Sequence, residues 1–244
     1  MQRTMFRRWV VVVICSCAAG LVAADPMTAE DVHVQVGWFN PSMQADEFWV
    51  DTFVTPDSST GVYSDSGEMT TGMCDLDWSV SGNADPVVSG VFGADNITDA
   101  TQTYVMVVTL PLGSPLQPST LTSGVINVTV VDNSGDGATM AALTDGSIYT
   151  SYIDGSVHRT LLDDASVDAP VDDSAQGSES FGLPGQIWVG SAAMTSISIE
   201  YRFTLTPGDA GTANGNFVVL IPEPATFVGI LSGLALLAMR RRRA

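Results

Sequence analysis

The chain has 244 residues, with 27 acidic residues against nine basic ones, all of them Arg, and a formal charge of −18 at pH 7. Apolar residues make up 45% of it, enough for a sizeable core, so wholesale disorder is excluded. An acidic chain without Lys cannot neutralise phosphates, which excludes a nucleic-acid partner. Arg3, Arg7 and Arg8 open the sequence and Arg240, Arg241, Arg242 and Arg243 close it, leaving Arg159 and Arg202 between Asp25 and Ile221. That stretch sets 26 of the 27 acidic residues against two arginines, a formal charge of −24. Basic residues beside apolar runs at both tips form a membrane-topology pattern around a polyanionic body.

Residues 1–24 read as a secretory signal peptide: basic residues to Arg8, an apolar run from Trp9 to Val22, then Ala23-Ala24 before Asp25-Pro26. Cleavage is expected after Ala24. Two competing readings are a first transmembrane helix, for which 14 apolar residues are short, and a lipobox around Ile14-Cys15-Ser16-Cys17, before which the apolar run is brief.

Residues 25–221 hold no sustained helical periodicity. Short runs rich in β-branched and aromatic residues recur between Gly, Pro, Asn and Asp clusters. In chain order the predicted strands are 32–39, 47–54, 76–80, 86–92, 103–110, 125–131, 147–153, 157–162, 186–189, 195–205 and 216–221. So many short strands without intervening helices predict an all-β body, an antiparallel β-sandwich or jelly roll. The cleanest strand places Ile197, Ile199, Tyr201, Phe203 and Leu205 on one face, with 216–221 as its expected partner across Thr206–Gly211. Residues 163–185 read as a long acidic loop.

Candidate chemistry in the body is sparse. With Cys15 and Cys17 in the signal peptide, Cys74 remains alone, which rules out an internal disulfide and predicts a small buried hydrophobe. His33 lies in an alternating strand without a metal-spaced neighbour, and His158 follows Asp154-Gly155-Ser156-Val157, a hairpin-turn sequence. No Gly-x-Ser-x-Gly elbow positions a nucleophile, so the expectation is not an enzyme. A secreted hydrolase using two carboxylates is an alternative. Asp132, Ser134 and Asp136, followed by Gly137, mimic the opening of a calcium-binding loop, but position twelve is Leu143 where a bidentate Glu is needed. Two readings stand there: a turn after the 125–131 strand, or a Ca²⁺ site that relieves the body's self-repulsion. Trp38, Trp49, Trp78 and Trp188 present the same kind of choice between core packing and stacking on a polysaccharide partner. A carbohydrate- or calcium-binding module is therefore a further alternative. Asn96-Ile-Thr98 and Asn127-Val-Thr129 are sequons, relevant only in a cell that reads them.

Residues 222–244 carry Pro222-Glu223-Pro224, an apolar stretch from Ala225 to Met239 and the four closing arginines. As a helix those 15 residues rise only ~22 Å, short of a ~30 Å hydrocarbon core, so spanning requires snorkelling arginines or a thinned bilayer. The positive-inside rule keeps the arginines cytoplasmic and the body outside. Gly229 and Gly233 give the small-xxx-small spacing that lets membrane helices approach. Tripeptide, short apolar helix, basic end and a signal peptide on one chain resemble the PEP-CTERM sorting signal of bacterial envelope proteins. Such tails are also labelled ice-binding protein C-terminal domains, a name that brings no ice-binding activity here. The resemblance implies export by the general secretion machinery, transient anchoring in the inner membrane, and recognition by an exosortase. Delivery to the cell surface or extracellular matrix follows, in a structural or adhesive role, with Pro222, Glu223, Pro224 and Arg240 to Arg243 as the sorting residues.

Overall fold

The computed structural model describes residues 31–39, 48–57, 59–83, 86–116, 120–182, 188–190 and 192–220. Among these there are strands and turns and no helix. The strands are β1 (Val32–Phe39), β2 (Phe48–Val54), β3 (Val62–Thr70), β4 (Cys74–Asn83), β5 (Val87–Asn96), β6 (Gln102–Pro111), β7 (Thr120–Val131) and β8 (Ala138–Ala141). They continue as β9 (Ser147–Ile153), β10 (Ser156–Asp163), β11 (Ser166–Ala169), β12 (Ser174–Phe181), β13 (Trp188–Gly190), β14 (Ser196–Leu205) and β15 (Ala210–Leu220).

They form two antiparallel sheets. The first has eight strands in the order β10-β9-β14-β6-β1-β2, with β8 attached to β14 and β11 to β8. The second has seven, β12-β7-β15-β5-β4-β3, with β13 attached to β7. The inner faces of both sheets supply one hydrophobic cluster, so the body is a β-sandwich-like fold. Alternation explains the layering: on β14, Ile197, Ile199, Tyr201, Phe203 and Leu205 are fully buried, the face the sequence predicts. Phe203 meets Phe92 of the opposite sheet with ring centroids 5.7 Å apart. Polar stitches cross the same layer. Tyr201 donates to the Gly90 carbonyl at 2.9 Å and Tyr149 to the Asn216 carbonyl at 2.9 Å, each buried hydroxyl finding a backbone acceptor in the facing sheet.

Three expectations are corrected. β14 does not pair with the last strand: it lies between β6 and β9, whereas β15 runs between β5 and β7 in the other sheet. The turn at 206–209 is therefore a crossover between sheets, not a hairpin. The expected loop at 163–185 is instead largely strand, because over 166–181 β11 pairs with β8 and β12 with β7. Strands β3 and β8, unpredicted, complete their sheets at one edge and one branch. The hairpin turn ahead of His158 is present, with Asp154 at φ 52° and Gly155 at φ 73° joining β9 to β10. Residues 1–24 and 222–244, with the signal peptide and sorting motif expected there, lie outside the described residues.

Candidate functional site

The loop between β7 and β8 brings the predicted Asp132, Ser134 and Asp136 together, and adds a residue that sequence reading missed. Asp209, from the crossover turn before β15, points into the same spot, and oxygens of Asp132, Asp136 and Asp209 lie within 4.8 Å of one another. Asp132 and Asp209 are buried and Asp136 is exposed. The loop takes this shape because Gly135 and Gly137 adopt φ 80° and φ 94°, left-handed values that favour glycine.

Asp132 is held by donors from two loops. Its Oδ1 accepts the Ser134 N–H at 3.1 Å, the Ser134 hydroxyl at 3.0 Å and the Gly135 N–H at 2.8 Å. Its Oδ2 accepts the Gly137 N–H at 3.1 Å and, from the β11–β12 turn, the Asp172 N–H at 2.7 Å. Backbone donation led by Asp172 holds this carboxyl well below the ordinary carboxylate range. Asp132 thus ties the 132–137 turn to the β11–β12 turn.

Ser134 is the other hub. Its single hydroxyl lies within hydrogen-bond reach of Asp132, Asp136 and, at 3.1 Å, Asp209. One proton serves only one of three acceptor-only carboxylates, so negative charge converges there without a matching donor. Asp209 is further fixed by the Asn133 N–H at 3.2 Å and the Thr206 hydroxyl at 2.6 Å. Chemically, the cluster offers hard oxygen ligands suited to Ca²⁺, with Asp136 on the solvent side and Asp132 already committed to the loop.

The other singled-out residues fall elsewhere. Trp78 is 6% exposed and lies over Gly67, where a Cβ would come within 2.1 Å of its ring, so it packs in the core rather than facing a sugar. The side chains of Trp38, Trp49 and Trp188 lie outside the described set. Cys74 is fully buried, and burial pushes its thiol up. His33 stacks on Phe53 at 4.6 Å and reaches Asp51 at 3.2 Å on the outer face of β1 and β2. His158 packs against Phe181 and Phe217, its Nε2 3.0 Å from the Thr122 hydroxyl. Of the sequons, Asn127 is exposed on β7, while Asn96 is 1% exposed and engaged with both the crossover turn and residues 98–100.

No family model matches the chain, and no curated protein matches it. Among solved structures it is similar to a chain of the cryo-EM structure of broad bean stain virus. The two are 9% identical over 82% of this chain and 81% of that one, with a TM-score of 0.23, too distant to carry an argument. The likeness of the tail to a sorting signal therefore rests on the tail's own residues.

Proposed function

We propose that this chain is an exported bacterial envelope protein whose β-sandwich-like body is delivered to the cell surface or extracellular matrix by a PEP-CTERM-like tail, in a structural or adhesive role. The observation that carries the reading is the co-occurrence of Pro222-Glu223-Pro224, the apolar run from Ala225 to Met239, the Arg240–Arg243 cluster and a basic-then-apolar N-terminus that reads as a signal peptide. The fold supports it in one respect: β15 extends to Leu220, so ordered body reaches to within two residues of the tripeptide. Both histidines are accounted for by packing and by side-chain partners that need no substrate. Fractionation of the native host tests the reading. Wild-type protein is expected in the outer envelope or medium, and a Glu223→Ala variant in the inner membrane. Retention of both in the inner membrane overturns it.

A second reading, a calcium-binding module, is favoured by the convergence of Asp132, Asp136 and Asp209 on one hydroxyl. It predicts a higher melting temperature in millimolar calcium than in EDTA, with the difference abolished by Asp136→Asn. Identical melting under both conditions leaves the cluster a purely structural turn.

A further inference from the structure

The outer face of the eight-stranded sheet carries an open groove of about 620 Å³, bounded by β9, β10 and β14 and by the turns at 145–146 and 163–164. Its centre is a fixed triad. Glu200, with a side chain only 14% exposed, takes the Arg202 Nε at 2.7 Å on one oxygen and the Tyr152 hydroxyl at 2.6 Å on the other. Arg202, on a side chain 42% exposed, lines the groove beside Glu200, so its guanidinium supplies the groove's cationic donors. Arg202 is one of two basic residues in a body of formal charge −24.

The surroundings set the ligand class. Asp145, Asp163 and Asp164 stand at one end of the groove as acceptors. With Glu200 they outnumber the single guanidinium, so an anionic polymer is repelled. A simple cation engages the carboxylates but leaves the donors of Arg202 unused. A neutral molecule dense in both donors and acceptors can use both sets. On the far side Tyr152 pairs across strands with Val157, which is 62% exposed, giving an apolar patch against which a sugar's C–H face can lie. We infer that this groove binds a neutral polysaccharide chain, its hydroxyls accepting from Arg202 and donating to the terminal aspartates. This goes beyond delivery by the tail, and the two fail separately: sorting is read from location, the groove from binding.

Affinity electrophoresis of the full chain in mild detergent tests it, with dextran, mannan and hydroxyethyl cellulose as neutral probes, and polygalacturonate and spermidine as charged ones. Retardation by at least one neutral polymer is expected, weakened about tenfold or more by Arg202→Met and by Tyr152→Phe. Phe53→Ala, exposed on the same sheet but outside the groove, should leave it unchanged. Thermal melting of each variant separates lost binding from lost folding, and Tyr152→Phe removes one hydroxyl only. Binding of no neutral polymer, binding of a charged probe alone, or neutral binding untouched in both groove variants overturns the proposal.

Discussion

Replacing Asn96, a buried side-chain amide, by Ala should loosen the body markedly. Asn96 closes β5 in one sheet and reaches into the end of β14 in the other. Its Nδ2 lies 2.9 Å from the Ala100 carbonyl and 3.0 Å from those of Leu205 and Thr206, and its Oδ1 accepts the Thr98 N–H at 3.1 Å. Its backbone joins the same crossover, with Asn96 N to Asp209 O at 2.9 Å and Gly208 N to Asn96 O at 2.7 Å. Leu205 is fully buried, so stranding its carbonyl costs about 1–3 kcal/mol. Ala100 and Thr206 are half-buried and recover water, adding about 0.5–1 kcal/mol together. The total of about 1.5–4 kcal/mol is a large part of an ordinary domain's 5–15 kcal/mol. At ~2–4 °C per kcal/mol for a body of this size, the melting midpoint should fall by roughly 3–16 °C. Asn96→Asp should do worse at neutral pH, since it sets an acceptor-only carboxylate against three carbonyl oxygens. Asn127→Ala, exposed on β7, is the control and should stay within about 0.5 kcal/mol of wild type. Thermal melts by circular dichroism read all three. If Asn96→Ala melts together with Asn127→Ala, the crossover does not depend on this side chain and the reasoning fails.

Two pH predictions follow from shifted titrations. Burial, and then the charge of Arg159, hold His158 below the ordinary histidine value. The unfolded chain therefore takes up a proton first, and stability should decline as pH drops below ~6.5. In His158→Gln, melting between pH 5 and 7 should show a shallower slope; an unchanged slope would count against the assignment. Asp95 is pushed up by burial and by the neighbouring charges of Asp75 and Asp77. Its ionised form is disfavoured in the fold, so Asp95→Asn should raise the melting temperature at pH 7, with the gain shrinking as acid protonates the wild-type carboxyl. A lower melting temperature at pH 7 would show that Asp95 is paired rather than crowded.

Most strands were legible because their inner faces carry an unbroken period of two. The limits of β1 and β9 are those the alternation predicts, and every inward residue of β14 is apolar. β3 and β12 escaped because partners supply their missing side chains. On β3 the inward position at Gly67 is filled by the Trp78 ring of β4, so its own hydrophobic period is blank there. On β12, Gly177 leaves room for Val167 and Val128, whose methyls would lie 2.9 and 3.1 Å from a Cβ. The pairing of β14 with 216–221 failed because a short turn between strands reads as a hairpin, whereas Asn96 holds this one open across the two sheets. In the acidic site, the local spacing of Asp132, Ser134 and Asp136 was readable. Asp209 was not, since only the crossover brings it there. Glu200 and Arg202 were visible as outward residues of β14, but their link to Tyr152 depends on the β9–β14 pairing.

The proposal that the protein is exported and sorted by its tail meets its most direct test in intact-mass analysis of the chain from the envelope and medium of its native host. The mature protein should begin at Asp25 and lack the residues beyond Pro222-Glu223-Pro224, while Glu223→Ala should retain them. A wild-type mass that still includes Arg240 to Arg243 would contradict sorting and reduce the tail to a permanent anchor.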